Sequence, residues 1–168
     1  MLTLIAKLLN ILNSDAAPSQ IALAIAFAML AGVNSLFSLI GLVTLVLIIV
    51  LRVNLSAFIA LFAVFNLVTL AFSSMLTGVG HSILTNSASE SLLTQLYNQY
   101  WFRLFELNNT FVMGAAVSSL ILFIPIFALS YWLIIKYRQA LMAFVNKFKV
   151  VQTLKASKFY QIYQTVKG

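Results

Sequence analysis

Few side chains in this sequence could do chemistry, and their placement argues against catalysis. The set comprises one histidine, His81, and three carboxylates, Asp15, Glu90 and Glu106. A hydrolase or transferase needs a nucleophile beside a base, an acid/base pair or a metal cluster at compatible positions. No HExxH helix, phosphate-binding glycine loop, GxSxG turn or paired carboxylate is present. Cysteine is absent, which removes disulfides, thiolate metal sites and a cysteine nucleophile together. His81 follows Gly78 and Gly80 and is expected in a loop. Glu106 stands three residues after Arg103, the spacing of a local ion pair on a helix. The expectation is a protein that is not an enzyme, with no catalytic residue, cofactor or metal.

The informative polar residues are uncharged and sit in apolar surroundings. Asn66 falls in the middle of a long apolar run, where an unpaired amide is costly. It either bonds a neighbouring helix or lines a polar path with Thr69, Asn34, Ser35 and Ser38. Small residues recur four apart at Ala24, Ala28 and Gly32, and again at Gly114 and Ser118 beside Ala115 and Ser119. Such faces let helices approach closely in lipid, where packing drives association.

The elements that position these residues follow from composition. Of 168 residues, 62% are hydrophobic and 8% charged, with a mean hydropathy of +1.05. A soluble domain carries about a quarter charged residues, so this is a membrane protein, read as a single membrane domain over residues 1–168. Three long stretches lack charge: 16–51, 53–89 and 107–135. The first opens at Pro18, a good first helical residue. As one helix, residues 19–51 would extend about 50 Å, against a hydrocarbon core of about 30 Å. The stretch must break, and Gly32, Asn34 and Ser35 mark the place. A broken, re-entrant hairpin over 19–51 fits better than two full crossings.

Residues 55–76 read as one transmembrane helix and 110–135 as another, the latter capped by Asn108 or Asn109 and kinked at Pro125. Between them, 77–109 is an external segment. Ser87 to Glu90 has capping-box spacing, and Leu93, Leu96, Tyr97, Tyr100, Trp101, Leu104 and Phe105 then recur at helical intervals, as in an interfacial helix. Residues 2–13 form a second, N-terminal interfacial helix, with Lys7, Asn10 and Ser14 opposite an apolar face. The fold class is thus an all-α membrane protein.

Seven of the ten Lys/Arg lie in the last 33 residues, without an accompanying acid. The tail, 136–168, is therefore cytoplasmic, which places both termini on the cytoplasmic side of a membrane crossed more than once. Aromatic and aliphatic residues at spacings of three and four make it amphipathic helices. Lys136, Arg138, Lys147, Lys149, Lys155 and Lys158 are candidates for contact with anionic lipid, at about 1 kcal/mol each before salt screening. The aromatic stripe favours lipid headgroups over nucleic acid as the partner.

Pro18, Ile21-Ala22, Phe27-Ala28, Gly32 and Leu51-Arg52-Val53-Asn54-Leu55 together resemble the family labelled domain of unknown function 2062. Arg52-Val53-Asn54-Leu55-Ser56, Asn108-Asn109-Thr110 and Lys155-Ala156-Ser157-Lys158 resemble a narrower branch across nearly the full chain. That branch usually has a proline near the hairpin tip, where this chain has Asn34-Ser35. The resemblance implies a protein of bacteria with outer membranes, often encoded beside a larger envelope protein, and it supplies no activity.

Three functions are carried forward. The first is a non-catalytic inner-membrane subunit of an envelope complex, supporting lipid transport between membranes by docking a larger partner. The second is a small transporter, channel or lipid scramblase, which would require a homo-oligomer. The third is a membrane-shaping scaffold.

Overall fold

The computed structural model describes residues 16–147, and all its elements are helices: α1 (Pro18–Asn34), α2 (Leu39–Val50), α3 (Leu55–Leu84), α4 (Ser87–Tyr97), α5 (Tyr100–Arg103) and α6 (Thr110–Lys147). The helix expected at 2–13, and Lys149, Lys155 and Lys158 of the tail, lie outside the described residues.

Helix α1 starts at Pro18, whose missing N–H is not needed in the first turn. Its alanines at 22, 24, 26, 28 and 31 have no accessible surface. Short side chains on every face let neighbours close around it. The helix ends where Ser35 turns to φ 68, a left-handed conformation that breaks the helical hydrogen-bond pattern. Helix α2 begins after Ser38, whose hydroxyl accepts the Gly41 N–H at 3.1 Å. Gly41 is required there, because a Cβ would strike the Ser35 carbonyl and come within 2.7 Å of the Leu36 backbone. The apolar stretch is thus broken at the expected place, with Gly32 inside α1, Asn34 as its last residue and Ser35 just past it.

Apart from Gly41, Thr44 and Ile48, α2 is not buried, and Ile49 and Val50 are 77% and 68% exposed. A helix apolar on all sides yet buried on one stripe suits a lipid environment.

Helix α3 is capped by Asn54, whose side chain accepts from Ala57 N at 2.9 Å. It runs to Leu84, eight residues past the expected end at 76, and His81 is therefore helical rather than in a loop. Of the two glycines before His81, Gly80 has a packing use. Gly80 faces Thr110 and Gly114, and a Cβ on it would run into the Thr110 carbonyl. A Cβ on Gly114 would likewise collide with the Leu76 carbonyl. Gly80 and Gly114 are the close crossing of α3 and α6, the use to which small residues are put between membrane helices.

The next segment is two helices rather than one. Asn86 caps α4 through Ala88 N at 2.9 Å, and the chain turns at Asn98 before α5. Arg103 Nε donates to the Tyr97 carbonyl at 2.8 Å, which satisfies an acceptor at the end of α4. Asn109 then caps α6, accepting from Phe111 N at 2.9 Å and Val112 N at 3.3 Å, and α6 continues unbroken through Pro125.

Helices α1, α3 and α6 pack on one another as the bundle, with α2 folded against α1. Arg138 Nη2 donates to Ala16 O at 3.0 Å and Asn34 Nδ2 to Ser119 Oγ at 2.8 Å, so α1 and α6 run antiparallel in one register. The rings of Phe27 and Phe123 meet between those contacts at 5.1 Å. Thr69 Oγ1 reaches Gly32 O at 3.3 Å, which sets α1 beside the first half of α3. Ile21, Ile48, Val53, Ala57, Phe58 and Ile134 fill the core at the opposite end of α1 from Asn34. By this register α1 ends level with Thr69, about 21 Å along α3 from Leu55, close to its midpoint.

Two helices are long and apolar enough to cross a membrane: α3, with 30 residues, and residues 110–140 of α6, with 31. Their most apolar windows have mean hydropathies of 2.3 and 2.4 and are only 11% and 28% buried. Apolar surface on that scale is not left facing water by a soluble monomer, which agrees with a membrane protein.

Candidate polar site at the helix break

The break between α1 and α2 gathers the polar groups of the bundle. Asn34 is 8% exposed, and its Nδ2 donates to Leu30 O and to Ser119 Oγ, each at 2.8 Å. Ser119, 1% exposed, passes its own proton to Ala116 O at 3.1 Å. These directions fix the amide: rotating it by half a turn would set Oδ1 against the Leu30 carbonyl, two acceptors facing each other. The remaining atom, Asn34 Oδ1, is buried and has no hydrogen-bond partner among the described residues. An unmet acceptor of that kind costs about 1–3 kcal/mol.

Beside it, Ser35 holds φ 68 and Ser38 Oγ donates to Ser35 O at 2.8 Å. Residues 104–106 come down over the break from the other side. Glu106 has φ 53, a left-handed position that non-glycine residues rarely adopt. The local ion pair with Arg103 does not form, because Arg103 is engaged with Tyr97 and Glu106 is not in a helix. Between break and cover lies a cavity of about 330 Å³ lined by Asn34, Ser35, Ser38, Phe105, Glu106 and Phe111. A second cavity of about 430 Å³ adjoins it, with Phe105 belonging to both walls. Its lining, which includes Leu30, Leu47, Met113 and Leu120, offers no polar surface. Both volumes lie in the range of small-molecule sites, about 300–1,000 Å³.

Residues 3–142 match the model of a family described as an uncharacterized protein conserved in bacteria, DUF2062. The chain belongs to this family. No curated protein and no solved structure matches it. The DUF2062 region covers every element that builds the site, from α1 to the buried part of α6.

In this DUF2062 protein the polar residues singled out from sequence divide into three groups. Gly32, Asn34, Ser35 and Thr69 come together at the break, with Thr69 Oγ1 shared between Gly32 O and Phe65 O, the latter at 2.8 Å. Asn66 does not join them: its Nδ2 bonds Phe62 O at 2.9 Å on its own helix. Asn66 and Thr69 therefore satisfy themselves on backbone carbonyls and do not extend the polar cavity. Ala24, Ala28 and Gly114 are buried packing positions, while Ser118 is half-buried against a third, apolar cavity between α3 and α6.

Of the basic residues, Lys136 is exposed and Arg138 reaches Ala16 O, while Lys147 closes α6. Three site residues were not legible as such. In the sequence Ser119 reads as a packing residue, Glu106 as half of a local ion pair and Phe105 as part of an interfacial stripe. Among the described residues, no three His, Cys, Asp or Glu side chains come together as a metal site would require.

Proposed function

We propose that this protein is a non-catalytic, lipid-handling subunit of a bacterial envelope complex, seated in the inner membrane and docked to a larger partner. The observation that carries this reading is the pair of cavities meeting at Phe105, one polar and one apolar. An amphiphile has the same division, with a headgroup for the first and an acyl chain for the second. The level of the break supports it further. Asn34 lies about 21 Å from the Leu55 end of α3, where only re-entrant backbone shielded by protein is tolerated in a bilayer. In this placement Arg52 and both termini are cytoplasmic, and residues 85–109 face outward.

The polar inventory supports a role without chemistry, since among the described residues Glu106 is the one titratable side chain lining the polar cavity. The test is gentle extraction of the tagged protein from its own membrane, followed by mass spectrometry of retained lipid and protein. Stoichiometric phospholipid together with a larger envelope protein is expected. A single-component particle stripped of lipid would reject the reading.

A stand-alone scramblase or transporter is the second reading, favoured by the unmet acceptor of Asn34 halfway along the bundle. Discontinuous helices with polar tips at mid-depth are how several transporters build their sites. Against it, Asn66, which would carry a polar lining from the break toward Leu55, bonds its own helix at Phe62 O. Reconstitution of the chain alone separates the two, since only a scramblase would move labelled lipid without a partner.

A further inference from the structure

We infer that the cavity at the helix break recognises the primary ammonium group of a phospholipid headgroup, that of phosphatidylethanolamine. The inference rests on the lipid-handling reading and names the headgroup it would select. Its first ground is the direction of the open hydrogen bond. Asn34 Oδ1 is an acceptor by the arrangement of its amide, it is buried, and no described residue donates to it. A ligand that completes the site must bring an N–H or O–H.

The second ground is charge. Among the described residues Glu106 is the sole charged one lining the cavity; no described Lys, Arg or His does so. Among the described residues its carboxylate has no ion-pair partner, Arg103 being turned to the Tyr97 carbonyl. The cavity wall thus holds one carboxylate and the Asn34 side chain, with Ser35 and Ser38 beside them. A cation with several N–H donors complements that set. A phosphatidylglycerol headgroup has donors, but its anionic phosphate is not offset by a cation of its own. A choline headgroup has the charge but no N–H, so it would leave Oδ1 unmet. A site with a buried acceptor discriminates most strongly against the analogue that lacks the donor.

The third ground is continuity. The acyl chain attached to such a headgroup has the adjoining apolar cavity to enter, across the shared wall at Phe105. A free amine would leave that cavity unfilled. Glu106 and Ser35 both hold left-handed backbone at the mouth, a strain that tends to persist at ligand-contacting positions.

The experiment uses the full chain in detergent, given equal amounts of phosphatidylethanolamine, phosphatidylcholine and phosphatidylglycerol with matched acyl chains. Native mass spectrometry reads which lipid is retained. Ethanolamine lipid is expected to be favoured by about tenfold over the other two. Glu106→Gln, at an exposed position outside the helices, should keep the fold and lower that preference several-fold, and Asn34→Leu should abolish it. Equal retention of all three lipids would overturn the ammonium assignment while leaving lipid handling intact, as would a Glu106→Gln variant with unchanged preference. Retention of no lipid would remove both. Free ethanolamine added in the same range of concentration should not compete; displacement of the lipid by it would overturn the lipid assignment in favour of a soluble amine.

Discussion

The half of the bundle that holds α1 and the half beyond its end are built on opposite terms. In the first, α1 presents alanines with no accessible surface to its neighbours, and Thr44 and Asn54 are paired with backbone groups. In the second, α3 and α6 go on without α1, held at one close contact between Gly80 and Gly114. At its boundary with the first the polar cavity opens, an amide oxygen is left unmet among the described residues, and Ser35 and Glu106 sit in left-handed backbone. The difference teaches where each half's sequence is constrained. One half is specified by volume, the other by what it leaves unfilled.

Substitutions can break that contrast in order of size. The largest effect is expected at Gly80→Leu, because the added side chain meets backbone, which cannot move aside as a flexible side chain can. Destabilisation should reach or exceed about 3 kcal/mol, the upper end for overpacking, read as a fall in the melting temperature of the purified protein. Gly78→Leu is the control: a Cβ there meets nothing within 4 Å, so the change should stay within about 0.5 kcal/mol. If the two variants melted alike, the crossing would not be what joins the outer half.

Next comes Ala28→Leu in the α1 half, at a position with no accessible surface. Overpacking of about 1–3 kcal/mol is expected, with bound lipid unchanged in the fraction that still folds. Ser119→Ala is smaller. It removes one of two acceptors from Asn34 Nδ2 and leaves the bond to Leu30 O. Interhelical hydrogen bonds in membranes average about 0.6 kcal/mol, and a loss of that order should appear in a chemical-denaturation midpoint.

How much of this was open to inspection in the sequence depends on whether a residue had one physical meaning or two. The start at Pro18 and the break near Asn34 were legible because both follow from geometry: a fixed ring torsion, and a run too long for a bilayer. Gly78 and Gly80 were ambiguous, since glycine serves both to stop a helix and to let two helices touch. The second use holds at Gly80, so α3 outlasts its expected end. Ser118 and Ser119 differ by one position, about 100° around a helix, and spacing alone does not say which one faces α1. Glu106 was illegible for a deeper reason. Its assignment to an ion pair presumed helical backbone, whereas its φ of 53 turns it toward the break from a different element. Contacts between residues 72 positions apart in the chain, as Asn34 and Glu106 are at one cavity, leave no periodic trace.

Asn34→Leu has the smallest expected effect on stability and decides most about the comparison. Leucine keeps the volume, removes the unmet Oδ1 and adds apolar contact, while the Ser119 hydroxyl keeps its bond to Ala116 O. Against these gains stands the loss of one interhelical bond, to Ser119. Terms of about 1 kcal/mol on each side should nearly cancel, so the melting temperature should hardly move and could rise. A protein that gains nothing in stability from a buried asparagine has another use for it, since sites held for function commonly sit below their stability optimum. The variant should therefore fold, pack and lose its preference among phospholipid headgroups at once. Were it to unfold instead, Asn34 would be a packing residue like Ala28, and the outer half would be specified by volume after all.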